Sequence, residues 1–326
     1  MKMKSLQGIA ALAIVPIALV GGAAAWATGF PTKPVTVIVP WKAGGAAGLQ
    51  AQELAQFLGP RLGQRILVSF KPGGASEAGA LFVKNATPDG HTLLQAWIAT
   101  FVQLPITKQK LGYDSFRDFD YLAYAGGNPV VLLVRDDRPW KSVADYVEHV
   151  RSTPGHTHTF SGGPAISLHS LFCGALFRSA GVAVKGVFYQ GSGAALPDLL
   201  GGNIEVSCHF FEALRRFPGQ LRALAVFSKE RVPGFERVPT VTEQGLKAPT
   251  VLSWSGYVAP AGLPADVRGA LVEALRASLT DPGYIKRMRE NHDTVVDYQG
   301  PEQFKRLVKD DLEVLRPLLE QALRAR

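Results

Sequence analysis

From residue 35 onward the chain alternates short β-branched runs with longer stretches of helical spacing. Val35, Thr36, Val37, Ile38 and Val39 form one such run. Pro40, Trp41, Lys42, Ala43, Gly44, Gly45, Ala46, Ala47 and Gly48 follow, and then Ala51, Leu54, Leu58 and Leu62 recur on one helix face. The order is strand, glycine-rich loop, helix. Residues 65–69 predict a second strand, 77–85 a helix, and 91–97 a third strand after the Pro88-Asp89-Gly90 turn. A second set opens at Val130, with a strand over 130–134, a helix over 142–151 with Ser142 and Asp145 at capping-box spacing, a strand over 158–161 and a helix over 167–180. Residues 186–189, 194–200, 204–208 and 221–227 continue the alternation, and the tail reads as mostly helical over 264–280, 284–291 and 301–325. Repeated β-α-β order predicts an α/β fold with parallel sheets covered by helices on both faces. The helical end predicts a return of the chain to the first unit, giving residues 28–128 plus 251–326 as domain 1 and 129–250 as domain 2.

The N-terminus follows a different pattern. Lys2 and Lys4 precede an apolar run from Ile9 to Val20, and Ala25-Trp26-Ala27 has the small-x-small form that signal peptidase reads. Residues 1–27 are therefore expected to be a cleavable signal peptide, cut after Ala27, with a periplasmic mature protein. An uncleaved anchor competes with this reading, because no charge appears between Lys4 and Lys33. The strongly apolar run is short and ends in small residues, which favours the leader. At 326 residues the chain is long enough for about two domains. Hydrophobic residues at 47% and charged ones at 19% exclude a disordered or coiled-coil chain. The net charge of +8 is spread without a basic cluster, so no nucleic-acid partner is expected, and it fits loosely with attraction of small anions.

Export would permit a disulfide between Cys173 and Cys208. Sequence spacing cannot show that their Cα atoms approach, and the expectation is two buried, unpaired thiols. His156 and His158 lie in a turn after Pro154-Gly155 with no CxxC or HExxH beside them, so neither a metal nor another cofactor is expected.

Residues 41–48, 161–167 and 190–194 share one design: each lies between a strand and a helix and carries two or more glycines. Such loops let backbone N–H groups and a helix's positive end face an anion. The first lacks the Lys-Ser/Thr ending of a P-loop, and none completes G-x-G-x-x-G in register with a helix start, which disfavours nucleotides. A serine hydrolase would need G-x-S-x-G, but Gln190 stands two residues before Ser192 and Thr159 two before Ser161. His169 and His209 could serve nearby hydroxyls as bases, but a lone His after a glycine loop is more often a packing or capping residue. Trp41, Trp97 and Trp254 sit at strand ends or loops, where packing is the ordinary role; Trp41 is the exception expected at a site, because it occupies the glycine loop itself.

Several motifs, in order along nearly the whole mature chain, resemble one family. They are Phe30-Pro31-Thr32-Lys33-Pro34-Val35, Pro40-Trp41-Lys42-Ala43-Gly44-Gly45, Pro88-Asp89-Gly90-His91-Thr92-Leu93, and Tyr113-Asp114 followed by Asp118-Phe119. The second half adds the run from Phe188-Tyr189-Gln190-Gly191-Ser192-Gly193 to Gly201-Gly202, then Pro239-Thr240-Val241-Thr242-Glu243-Gln244-Gly245, and Trp254 leading to Ala259-Pro260-Ala261-Gly262-Leu263-Pro264. The chain is similar to the Bug proteins, the extracytoplasmic solute receptors of tripartite tricarboxylate transporters. The resemblance implies a type II-like periplasmic-binding-protein fold, in which two α/β domains close on a small carboxylate and present it to membrane permease subunits. It also implies a monomer without catalytic residues. It places Trp41, Gly44, Gly45, Ala46 and Gly48 at one end of the ligand, with Thr100 facing the cleft, and Gly163, Ser167, His169, Gly191, Ser192 and His209 at the other. Gly48 stands where the family usually has Asp, and Gln190 where it has Lys or Arg. The missing Asp argues against recognition of an amino-acid ammonium group. A hydrolase or isomerase built on the same cleft, and a ligand sensor, are the competing functions.

Overall fold

The computed structural model describes residues 29–324, so the expected cleavage after Ala27 lies outside the described residues. In chain order the main elements are β1 (Val35–Val39), α1 (Ala46–Leu62), β2 (Ile66–Phe70), α2 (Glu77–Lys84), β3 (Thr92–Trp97), a π-helical turn (Ala99–Gln103), α3 (Leu104–Thr107), β4 (Phe119–Asn128), β5 (Val130–Arg135) and α4 (Val143–Ser152). Then come β6 (Thr159–Gly162), α5 (Leu168–Ser179), β7 (Lys185–Phe188), α6 (Leu196–Gly201), β8 (Val206–His209), α7 (Glu212–Arg216), β9 (Leu221–Phe227), β10 (Ser253–Pro260), α8 (Ala265–Leu279), α9 (Pro282–His292) and α10 (Pro301–Arg324). The predicted apolar stripe of α1 is real: Ala51, Leu54, Leu58 and Leu62 are all buried. Each Leu contributes roughly 1.5–3 kcal/mol by leaving water. Ser142 and Asp145 form a complete capping box at the start of α4.

The strands form two five-stranded sheets, ordered β2-β1-β3-β10-β4 and β7-β6-β8-β5-β9. Neither is wholly parallel, which corrects the sequence expectation. β1 pairs parallel with β2 and β3, but β10 runs antiparallel between β3 and β4. In the second sheet β6 pairs parallel with β7 and β8, while β5 is antiparallel to β8 and β9. Both reversed strands are those by which the chain enters a sheet from the other one, so neither needs the crossover helix that a parallel partner requires.

β4 and β10 are absent from the sequence expectation. β4 is buried along almost its whole length, so it shows no alternation. β10 contains Gly256 and Pro260, residues that argue against a strand. A Cβ at Gly256 would lie 2.4 Å from Cζ of Phe304. The glycine lets α10 rest directly on the sheet. There Trp254 Nε1 donates to Asp311 Oδ2 at 2.6 Å, and burial pushes the Asp311 carboxyl up to about 7. One core runs continuously from the first sheet through α10 and α5 into the second. A second core lies under α1, α8 and α9, and a third under α6 and α7.

Cys173 and Cys208 are disulfide-bonded, with Cα atoms 6.0 Å apart, which overturns the expectation of free thiols. α5 packs across β8, and this brings together two buried residues whose 35-residue separation said nothing about distance. No helix among the described residues is long and apolar enough to cross a membrane.

Candidate functional site

Because β1, β2 and β3 are parallel, their carboxyl ends and the loops that follow lie on one edge of the first sheet; β6, β7 and β8 give the second sheet an equivalent edge. Crevices outside such edges are where open α/β sheets bind ligands. The two edges meet: Gln103 Nε2, just past β3, donates to the carbonyl of Ile166 in the loop after β6 at 3.0 Å.

In the first edge, Trp41 is half-buried and, with Phe70 and Trp97, packs on the core beneath α1. Gly44 takes a left-handed φ of 86°, Gly45 is the extended N-cap of α1 without a side-chain cap, and Ala46 is exposed at the helix start. Together they leave the first turn of a 17-residue helix open to an anion. Gly48 differs: it is buried, and a Cβ there would lie 2.8 Å from Cε1 of Phe70. Aromatic packing therefore occupies the space that the side chain of an Asp would need. Thr100 is wholly buried, and its Oγ1 lies 2.7 Å from Oγ of Ser76. It supports the edge from below.

Ser76 leads to a loop that sequence reasoning missed. Residues 71–76, between β2 and α2, contain Gly73 and Gly74, followed by Ala75 and Ser76 at φ of 55° and 87°. Consecutive left-handed non-glycine residues cost roughly 1–2 kcal/mol each. Lys71-Pro72-Gly73-Gly74 is a fourth glycine loop between strand and helix, and that pattern was its available signal. Glu77 follows, held below the usual carboxylate range by its hydrogen bond from Lys108. At the end of β3 the indole N–H of Trp97 is buried with no partner among the described residues.

The second edge is built more from side chains. Ser167 caps α5 by accepting from the Ser170 N–H, and Ser170 Oγ donates to the carbonyl of Gly163 at 3.0 Å. The Tyr189 N–H reaches the same carbonyl at 3.4 Å and so ties two glycine loops together. Gly191 is extended at φ −168° and opens a short 3-10 turn, Ser192–Ala195; a Cβ on it would touch nothing within 4 Å. The Gln190 side chain is exposed. His209 Nδ1 accepts from the Phe210 N–H at 2.8 Å, which leaves the ring proton on Nε2. His169 packs edge-on against Phe210 with ring centroids 4.4 Å apart and lies 6.0 Å from the His209 ring. Burial pushes His169 down to about 3, and His209 acts in the same direction, so the imidazole is neutral at physiological pH. Its buried Nε2 has no partner among the described residues. The disulfide lies directly behind: Cys173 is one turn after His169 on α5, and Cys208 precedes His209.

The first edge therefore offers an open helix start and the second buried imidazoles beside a capped one, and the first loop holds no carboxylate from Pro40 to Gln52. Each unpaired buried polar atom costs about 1–3 kcal/mol, which a hydrogen-bonding ligand would recover. The chemistry suits a small anion held by dipoles. Two surface hollows, one lined by Gln56, Gly63 and Ile66 and the other by Lys33, Asp89 and His91, sit at the opposite, amino edge of the first sheet.

Comparison with known proteins agrees with this geometry. A protein from Agrobacterium vitis, the UPF0065 protein in the TAR-I ttuE-ttuC' intergenic region, is 33% identical over 300 residues, covering 90% of this chain and 85% of that one. Among solved structures, the Rhodopseudomonas palustris protein Rpa4515 with adipate superposes with a TM-score of 0.74 at 25% identity, over 90% of this chain and 98% of that one. MatC from the same organism, with bound malate, gives 0.68 at 27% identity, over 89% and 100%. The profile described as "Tripartite tricarboxylate transporter family receptor" matches residues 50–323, most of the chain. With the two-sheet fold and its facing loop edges, that match makes this chain a member of the tripartite tricarboxylate transporter receptor family, a solute-binding receptor.

Proposed function

We propose that this receptor is exported to the periplasm, captures a small carboxylate lacking an amine, and presents it to the permease subunits of a tripartite transporter. Two lobes, residues 28–128 with 251–326 and residues 129–250, close on the ligand. The observation that carries the reading is the facing pair of carboxyl-end loop edges, furnished with neutral donors and, in the first loop, no acidic side chain. One chain supplies both edges, so a monomer suffices. Closure follows from differential binding: ligand gains contacts from both lobes only in the closed form, and so shifts the equilibrium toward it. Adipate and malate in the relatives' structures support a dicarboxylate.

A charge-assisted hydrogen bond from a ligand ammonium to an Asp contributes about 1.5–3 kcal/mol, and this loop cannot provide one. Dicarboxylic or aromatic acids are therefore preferred over aspartate and glutamate. A thermal-shift panel tests this, because a ligand of the native state raises the melting temperature with its concentration. The expected ranking places an amine-free acid first, recovered chemically unchanged after incubation. Aspartate or glutamate ahead of every amine-free acid, or turnover of the bound acid, would refute it.

A further inference from the structure

The amino ends of β6 and β8 carry a second polar cluster, away from the ligand loops. His209, at the far end of β8, lies four residue steps beyond Glu205, about 13 Å at ~3.3 Å per residue. His149 on α4, His158 before β6 and Glu205 before β8 each bring a ligating atom within 4.8 Å of the others. His158 Nδ1 lies 3.0 and 3.3 Å from the two Glu205 oxygens, and Nε2 of exposed His156 lies 3.2 Å from Oε1. From these residues we propose a binding site for a divalent transition-metal cation of the zinc class, held by His149, His158 and Glu205 and closed from solvent by His156.

The hydrogen-bond arithmetic leaves a place for a positive centre. Thr153 Oγ1 donates its one proton to the His149 carbonyl at 2.6 Å, so toward His158 Nε2, 3.0 Å away, it can only accept. His158 Nε2 therefore carries the ring proton, and Nδ1 turns a lone pair on the Glu205 carboxylate. Two acceptors at 3.0 Å need a positive centre between them, either a second proton or a metal. Zinc bonds of ~2.0–2.2 Å to nitrogen and oxygen set neighbouring ligand atoms about 3.3 Å apart. The Glu205–His158 and Glu205–His156 spacings already meet this, and His149, within 4.8 Å of the others, needs to approach by up to about 1.5 Å to complete the set.

The surroundings resemble those of a metal site. The Tyr146 hydroxyl donates to Glu205 Oε2 at 2.8 Å and orients the carboxylate, as Thr153 orients His158. The Trp140 ring packs 4.9 Å from His149 and shields one side. Imidazole nitrogens select zinc, copper or nickel over calcium or magnesium. A bound ion would tie α4, the turn at 153–158 and the entry to β8 into one unit.

Calorimetric titration of Zn2+ into the untagged, chelator-treated full chain provides the test, with Ca2+ as the hard-cation control and Co2+ as a spectroscopic probe of nitrogen coordination. One equivalent of Zn2+ should bind, Ca2+ should not, and His149→Gln should weaken Zn2+ binding by at least about tenfold. The His149 ring packs on Trp140 and makes no hydrogen bond among the described residues, so His149→Gln breaks none of the cluster's hydrogen bonds, and circular dichroism checks that it folds. Should His158→Gln fail to fold, Glu205→Gln provides the second reading and should weaken Zn2+ in the same way. No saturable Zn2+ binding, binding unchanged in His149→Gln, or Ca2+ binding as tightly as Zn2+ would overturn the proposal and leave a hydrogen-bonded cluster that only fastens the turn.

Discussion

In the function proposed above, the two loop edges of this receptor meet the ligand by different means. The first uses backbone: an uncapped helix start at Gly45, left-handed glycines, and the strained pair Ala75 and Ser76. The second uses side chains, with Ser167, Ser170, His169 and His209 placed by a helix and a strand that a disulfide joins one layer below. Backbone donors are pre-positioned by turns and cannot be traded for other chemistry, whereas imidazoles can, provided something fixes their orientation. The covalent tie lies directly behind the two imidazoles of the side-chain edge.

If this contrast is right, the largest effect should come from cutting the tie. Closing the 35-residue separation removes about 4 kcal/mol of denatured-state entropy. Cys173→Ala with Cys208→Ala should lower stability in urea by that order and weaken ligand binding through the second edge. An unchanged denaturation midpoint would contradict the role given to the bond.

Next in size is the pH response of His169. Its imidazole stays neutral in the fold down to about 3 but protonates below 6.5 in the unfolded chain, so its contribution is complete above 6.5 and is lost as pH falls from 6.5 toward 3. Asp311 has the opposite sign: its carboxyl titrates near 7 when folded against 3.8 ordinarily, so its contribution is lost as pH rises through that interval. The comparison to make is therefore wild type minus His169→Gln. Between pH 6 and 4 the variant should remove a slope of up to about 1.4 kcal/mol per pH unit. Parallel curves would mean that the ring is not buried as described.

Glycines on the two edges give a third contrast. Gly48→Asp must displace Phe70, and overpacking of this kind costs about 1–3 kcal/mol. Gly191→Ala meets open space in an extended backbone and should alter stability by less than about 0.5 kcal/mol, while lowering affinity if ligand approaches that turn closely. Denaturation of both variants beside ligand titration separates fold from site. Ala75→Gly is the one change expected to stabilise: it relieves a left-handed residue and should raise the urea midpoint by an amount worth no more than about 1 kcal/mol.

The α/β architecture was legible because amphipathic helices such as α1 and β-branched runs such as Val35–Val39 carry their own periodicity. β10 was not, because Gly256 and Pro260 serve its contact with α10 and its position between β3 and β4 rather than strand propensity. The glycine loops marked the carboxyl-end edges of the two sheets, yet the 71–76 loop escaped notice although it has the same form. Nothing local could show that Cys173 meets Cys208, or that His149 and Glu205 meet His158, since those encounters belong to helix-on-sheet packing.

The central claim is that one small dicarboxylate bridges the two edges. A crystal structure of the protein grown with a dicarboxylate such as adipate tests it most directly. The account predicts ligand oxygens at about 2.7–3.2 Å from N–H donors at the start of α1 and from the residues 163–169 or 190–194 of the other lobe. Ligand held by one lobe alone, or seated in the hollow lined by Lys33, Asp89 and His91 at the opposite edge, would contradict it.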